Sequence, residues 1–147
     1  MSLKGNVFNV LSTTDSIEFI FSSTMKNIDD VCEQTTHYIQ SKIQGIDLYL
    51  FPINLVIREG LTNAVRHGNK SDPYKMVRFL LTIFDNKAIK LMIEDQGAGF
   101  DWRKLKNSDQ PENEDHGRGI MIIGAYFSHY SYNDKGNILY LEKDICS

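Results

Sequence analysis

The sequence REGLTNAVRHG at residues 58–68 carries the pattern that decides the fold. Three of its polar residues, Glu59, Asn63 and His67, are spaced four apart, so in a helix they lie along one stripe. At about 100° per residue, this stripe lies beside the apolar face of the helix rather than opposite it. We therefore expect these three side chains to be partly buried.

A polar stripe in this position is unfavourable unless its groups find partners. Burying an uncompensated carboxylate costs several kcal/mol, and Asn is about half a kcal/mol poorer than Ala inside a helix. Two interpretations stay open for the helix alone. The stripe either forms hydrogen bonds to a neighbouring loop, or it presents oxygen and nitrogen ligands to a cleft.

The second informative segment is a strand, IKLMIED at residues 89–95, followed directly by QGAGF. Side chains alternate along a strand, so Asp95 shares a face with the apolar residues at positions 89, 91 and 93 and points inward with them. Gly97 and Gly99 permit backbone conformations and a close ligand approach that other residues exclude. The same D-x-G-x-G pattern also suits an ordinary exit from a strand into a turn.

The third segment is HGRGI at residues 116–120, which is predicted to open a helix. Gly117 and Gly119 leave backbone N–H groups free at the helix start, where the helix dipole favours a bound anion. Arg118 adds a charged donor that suits phosphate. A lone G-x-G is common in loops, so the combination of all three segments is more informative than any one.

Hydrophobic periodicity predicts the other elements. The predicted strands lie at residues 16–23, 76–84, 88–95, 129–133 and 137–143. The predicted helices cover residues 28–43, ended near Gly45, residues 52–68, begun by Pro52, and residues 118–127. Grouped strands with helices between the groups predict an α+β fold, with helices on one face of a mostly antiparallel sheet.

A polar segment at residues 97–117 interrupts this pattern and contains few large apolar residues. Loops of this length are uncommon in compact domains and are often functional lids. The chain has 147 residues, which suits one domain and leaves no room for a second core of ordinary size. We therefore expect a single domain over residues 1–147 with a lid at about 97–117.

Composition argues against several classes of function. The net charge is -3, and no Lys/Arg cluster exceeds two neighbours, so a nucleic-acid footprint is not visible. The most apolar stretch, Leu48–Ile57, is about half the length that a membrane span needs, and a signal-peptide pattern is not present. Cys32 and Cys146 have no His at ligand spacing and are expected to be reduced thiols. We expect a cytoplasmic protein.

The order of the three segments resembles the ATP-binding domain of the gyrase, histidine-kinase and mismatch-repair ATPase superfamily, the Bergerat fold. The resemblance covers about Ser16 to Lys143. Within the superfamily the chain is most similar to the stand-alone anti-sigma factor serine kinases, which also read E-x-x-x-N-A-x-x-H-G, matched here from Glu59 to Gly68. This resemblance implies a two-layer α/β sandwich that uses ATP and Mg²⁺.

The resemblance also implies roles by position. Glu59 would be the catalytic base, Asn63 would ligate Mg²⁺ through its side-chain oxygen, and Asp95 would accept a hydrogen bond from the adenine amine. The other expected ATP contacts are His67, Gly97, Gly99, Gly117, Arg118, Gly119, Ile120 and Asn137.

The chain departs from the family pattern at two positions near the end. The final strand often starts Gly-Thr in the family and starts Gly136-Asn137 here, and Ser128 stands where relatives often have Asp. Asn137 shares its strand face with Leu139, so we expect its amide to point inward and form hydrogen bonds.

Three functions stay open from the sequence. The resemblance implies a Mg-ATP-dependent anti-sigma factor with serine kinase activity towards an anti-sigma factor antagonist, with a sigma factor as a second partner. The alternatives are a nucleotide-switched protein-binding module with little catalysis and a stand-alone phosphorelay ATPase domain. Glu59 favours the kinase, since a pure binder needs no base. A homodimer through part of residues 28–43 also stays open.

Overall fold

The computed structural model describes residues 6–99, 123–124 and 126–145. Its helices are α1 (Met25–Lys42) and α2 (Asp47–Asn63), and α2 continues into a π-helical turn at Ala64–Gly68. Its strands are β1 (Phe8–Ser12), β2 (Ser16–Ser22), β3 (Met76–Phe84), β4 (Ala88–Glu94), β5 (His129–Tyr132) and β6 (Ile138–Asp144). They form one antiparallel sheet in the order β1-β2-β3-β4-β6-β5.

The core lies between one face of the sheet and the two helices. Alternate residues of β2, β3 and β4 are buried, as expected when one face of a sheet is covered. At its centre Phe19 of β2 stacks on Phe79 of β3 with ring centroids 6.0 Å apart. Ile28 of α1 and Leu61 of α2 are fully buried in the same cluster. The expected α+β sandwich is confirmed.

Helix α1 begins and ends close to the predicted positions. Thr24 caps it, because its hydroxyl accepts from the Asn27 N–H at 3.2 Å. Gly45 follows the helix end with φ of 79°, in the left-handed region that favours glycine. The predicted apolar stripe is buried throughout, at Ile28, Val31, Cys32, Thr35, Ile39 and Ile43.

Helix α2 begins at Asp47, so the prediction that Pro52 starts it was wrong by five residues. Proline inside a helix removes one backbone hydrogen bond, which is why the sequence pattern favoured a later start. Burial compensates for that loss: Ile46 is only 2% exposed, and Leu50 packs against the core. Tertiary packing therefore extends the helix past a residue with poor local propensity.

The sheet contains one strand that the periodicity did not predict. Strand β1 pairs antiparallel with β2 at the edge, and Val10 and Leu11 are 41% and 65% exposed, so its burial pattern is weak. The predicted β3–β4 hairpin is confirmed. Asp85 and Asn86 have φ of 54° and 56°, as a type I′ turn requires.

The second half of the sheet positions the site. Strand β6 lies between β4 and β5, and Ile93 of β4 lies opposite Leu139 of β6. Residues 123, 124 and 126 are helical, within the predicted helix at 118–127. No helix in the described part of the chain has the length and apolar character that a membrane crossing requires.

Candidate functional site

A cavity of about 110 Å³ lies between the C-terminal part of α2 and strands β4 and β6. Its wall also includes the π-helical turn and the β5–β6 turn. Five of the residues singled out in the sequence lie on this wall: Asn63, His67, Asp95, Gly99 and Asn137. The fold therefore brings residues from three separate sequence segments to one place.

The helical side of the cavity changes geometry after Asn63. The Asn69 N–H donates to the carbonyl of Ala64, five residues back, at 2.8 Å, which is the hydrogen bond of a π-helical turn. The turn ends the helix, and wide turns of this kind are common at helix C-termini. Glu59, Asn63 and His67 are each half-buried, as the spacing predicted.

Glu59 lies one helical turn before Asn63 but is not among the residues that form the described cavity wall. One turn of an α-helix advances about 5.4 Å, so its carboxylate belongs to the same stripe outside the enclosed space. The structure thus brings Asn63 and His67 into the cavity and leaves Glu59 beside it.

Asp95 directly follows β4 and is 9% exposed, so the predicted inward direction is confirmed. Its Oδ1 accepts from the Gly97 N–H at 2.8 Å. Burial raises the pKa of Asp95, nearby Glu94 adds to the rise, and the Gly97 N–H together with Lys135 and Lys75 opposes it. The pocket therefore holds a carboxyl group that ionises less readily than an exposed one.

The glycines around Asp95 allow three pieces of backbone to meet. A Cβ at Gly68 would overlap the Asp95 carboxyl group, and a Cβ at Gly97 would overlap the carbonyl of Gly68. Gly99 has φ of 85°, in the left-handed region. The special backbone conformation predicted for the D-x-G-x-G segment is present at Gly99, whereas the space beside Gly97 is filled by the backbone of Gly68, so the predicted close approach of a ligand there stays a prediction.

Asn137 points inward, as its strand position predicted. Both ends of its side-chain amide form hydrogen bonds to other residues of the site. Its Nδ2 donates to the carbonyl of Asp95 at 3.1 Å, and its Oδ1 accepts from Asn133 Nδ2 at 2.8 Å. Its own carbonyl accepts from the Asp95 N–H at 3.0 Å. Asn137 therefore ties β6 to the residue at the centre of the site.

Sequence reasoning missed Tyr132 and Lys70, which also line the cavity. Burial raises the pKa of the Tyr132 hydroxyl, and the neighbouring Tyr130 and Asp95 add to the rise. Tyrosines stand two positions apart at 130 and 132, so they share one face of β5. This spacing was the signal from which an inward-facing Tyr132 could have been predicted. Lys70 follows the π-helical turn with φ of 57°, and no spacing in the sequence indicated it.

Several expected site residues lie outside the described residues. Most of the predicted lid, residues 100–117, is among them. So are the three predicted phosphate contacts Gly117, Arg118 and Gly119, together with Ile120, which was predicted to contact ATP. Their assignment stays a prediction.

Comparison with known proteins identifies the family. Residues 21–143 match the model of the histidine kinase-like ATPase domain. The chain belongs to this family. Similar proteins include the anti-sigma F factors of Geobacillus thermodenitrificans and Geobacillus stearothermophilus. The first is 30% identical over 103 residues, covering 65% of this chain and 70% of that protein. The second is 31% identical over 104 residues, covering 66% and 70%.

A second group of relatives carries a kinase name. Serine-protein kinase RsbW of Staphylococcus epidermidis is 29% identical over 104 residues, covering 61% of this chain and 65% of that protein. The expected resemblance to the anti-sigma factor kinases is therefore confirmed, and so is the histidine kinase-like ATPase fold.

The raised pKa of Asp95 predicts a pH-dependent stability in the absence of nucleotide. The folded state holds this proton more tightly than the unfolded chain, so stability is lost as pH rises from the ordinary value of 3.8 through the raised pKa. Asp95→Asn carries no charge at any pH and keeps an oxygen for the Gly97 N–H. It should therefore resist urea better than the wild type at neutral pH, with the difference shrinking as the solution is acidified.

Asp85→Asn is the matched control for this prediction, because Asp85 lies in the exposed β3–β4 turn at the other end of β4. It should show no comparable gain. A wild type that is more stable than Asp95→Asn at neutral pH would mean that burial of Asp95 does not destabilise the fold.

Proposed function

We propose that this protein is a cytoplasmic, Mg-ATP-dependent anti-sigma factor that phosphorylates a serine of an anti-sigma factor antagonist. The observation that carries the proposal is the convergence of Asn63, Asp95 and Asn137 on one cavity in a histidine kinase-like ATPase fold. Relatives named anti-sigma F factor support the anti-sigma factor role, and a relative named serine-protein kinase supports the kinase activity.

Two features of the cavity wall support binding of a purine base there. Ile93 and Leu139 supply buried apolar surface, and Asp95 supplies an inward acceptor. The wall is about half polar, and it combines an apolar surface with placed polar groups, as small-molecule sites do. A carboxylate oxygen accepts a hydrogen bond from an amine, so Asp95 would select adenine over a base with a carbonyl at the same position.

Asn63 is the proposed Mg²⁺ ligand. It lies on the cavity wall, half-buried, with a side-chain oxygen of the hard type that Mg²⁺ prefers. Nucleotide-linked Mg²⁺ is usually bound through one or two carboxylates together with phosphate oxygens and waters, so phosphate oxygens and waters would complete the coordination beside the single amide oxygen of Asn63. The ion would supply neutralisation of phosphate charge.

Glu59 is the proposed base. In the reaction the serine hydroxyl oxygen bonds to the γ-phosphorus, the bond to the β–γ bridging oxygen breaks, and ADP leaves. Glu59 would take the hydroxyl proton. Its half-buried position on the stripe that also carries Asn63 supports this role.

A nucleotide-switched binding module is the second candidate, and one observation favours it. Glu59 is absent from the described cavity wall, so nucleotide could be held without engaging it. The two candidates share the ATP site and differ only in phosphoryl transfer.

Incubation with labelled ATP and candidate antagonists encoded near its gene tests the proposal. Label on an antagonist serine, lost when Mg²⁺ is chelated, is the expected result. Tight Mg-ATP binding with no transfer to any antagonist would support the binding module instead. Absence of ATP binding would contradict both.

A further inference from the structure

Asn69 directly follows the π-helical turn and is fully buried. Its side chain forms three hydrogen bonds to three different parts of the chain. Nδ2 donates to Ser23 Oγ at 2.8 Å and to the Met76 carbonyl at 2.9 Å. Oδ1 accepts from the Gln96 N–H at 2.7 Å. Both amide protons are thus used, and the oxygen is bonded to Gln96.

The bond to Gln96 matters because this N–H is the first amide after Asp95. It fixes the peptide group that joins Asp95 to Gln96. The Gln96 side chain is also held towards β3, since its Oε1 accepts from the Met76 N–H at 2.6 Å. Gln96 itself is exposed, so these bonds rather than burial keep it in place.

The other side of Asp95 is held by Asn137, which directly precedes β6. The Asp95 N–H donates to the Asn137 carbonyl at 3.0 Å, and the Asp95 carbonyl accepts from Asn137 Nδ2 at 3.1 Å. Asp95 therefore lies between two sets of hydrogen bonds. On the side facing α2 and β3, the backbone after Asp95 is held by the hydrogen bond from the Gln96 N–H to the side chain of Asn69.

We infer that Asn69 is a positioning residue for nucleotide recognition, an inference that rests on the proposed role of Asp95 in reading the adenine amine. Asn69 acts through the Gln96 amide and holds the Asp95 acceptor in place before the nucleotide arrives. A preorganised acceptor avoids the cost of ordering on binding. Loss of Asn69 therefore weakens recognition of the base more than binding of the triphosphate.

The test compares ATP with inosine triphosphate, which has the same ribose and phosphates but a carbonyl where ATP has its amine. The wild type should prefer ATP at least tenfold. In Asn69→Ala the preference for ATP over inosine triphosphate should fall about fivefold. The affinity for inosine triphosphate itself should change less than twofold. In the phosphorylation assay its KM for ATP should rise by a similar factor while kcat is unchanged.

Ser23→Ala is the matched control. It removes one hydrogen-bond partner of Asn69 and a bond to the Lys75 carbonyl, but it leaves the Gln96 bond intact. This variant should lose stability and keep the ATP preference. If Ser23→Ala and Asn69→Ala lose the preference for ATP over inosine triphosphate equally, the role of Asn69 is structural only. That result would overturn the inference.

Hydrogen exchange of the Gln96 amide decides the matter if Asn69→Ala does not fold. This amide should exchange slowly in the nucleotide-free wild type, because it donates to Asn69. Exchange as fast as in exposed turns overturns the inference, and so does a full ATP preference in folded Asn69→Ala. A wild type without any ATP preference would instead contradict the role of Asp95, and the inference would fall with it.

Discussion

Glu59→Gln is expected to slow phosphorylation of the cognate antagonist at least a hundredfold while ATP affinity stays within about twofold. A positioned acid–base group contributes about 10²–10⁴-fold to a transfer step. Glutamine keeps the shape and a hydrogen-bonding oxygen but cannot take a proton at neutral pH. The substitution leaves the proposed contacts to adenine and Mg²⁺, at Asp95 and Asn63, in place, so ATP affinity is expected to change little.

The measurement combines a single-turnover phosphorylation assay with calorimetry of ATP binding. Glu33→Gln is the matched control, because it makes the same change on an exposed face of α1. It should leave both quantities unchanged. Equal transfer rates in the wild type and Glu59→Gln would remove Glu59 from the role of base, and a large loss of ATP affinity would assign it to binding.

The core faces of the fold could be predicted from sequence because each depends on a local pattern. Inward residues recur at every second position of a strand and at every third or fourth position of a helix. The buried face can therefore be predicted from the pattern of neighbouring residues. Strand β3 and the stripe of α1 are examples. The inward direction of Asp95 followed from the same rule, since it continues the buried face of β4.

The errors arose where a long-range contact outweighs a local signal. Pro52 is a strong local reason to start a helix, but burial of Ile46 against the core extends α2 to Asp47. Strand β1 is held by pairing with β2 at an edge, and its residues are too exposed to leave a clear alternation. Neither cause can be read from neighbouring residues alone.

The same distinction applies to the site. Asn63 and Asp95 carried local signals, namely a polar residue beside an apolar stripe and a carboxylate on an inward strand face. Asn69 carried none, because its partners Gln96 and Ser23 are 27 and 46 residues away in the chain. Residues that read a ligand can leave a signal in the pattern, whereas residues that position them are found through their contacts.

Asp95→Asn is expected to weaken ATP binding at least tenfold. The adenine amine is a donor, and the amide of asparagine can turn a second donor towards it. An unpaired buried polar group costs about 1–3 kcal/mol, which corresponds to roughly 5–150-fold in affinity. Because this substitution is also expected to stabilise the nucleotide-free fold, a loss of affinity could not be attributed to unfolding.

Inosine triphosphate provides the decisive comparison for Asp95. Its carbonyl accepts a hydrogen bond, so the asparagine amide can donate to it where the wild-type carboxylate repels it. Asp95→Asn should therefore bind inosine triphosphate at least as well as the wild type does, and the preference for ATP should disappear. Asp85→Asn, which changes the exposed β3–β4 turn at the other end of β4, should keep the preference for ATP. Unchanged ATP affinity in Asp95→Asn, measured by calorimetry, would remove Asp95 from the site and leave its costly burial without a functional reason.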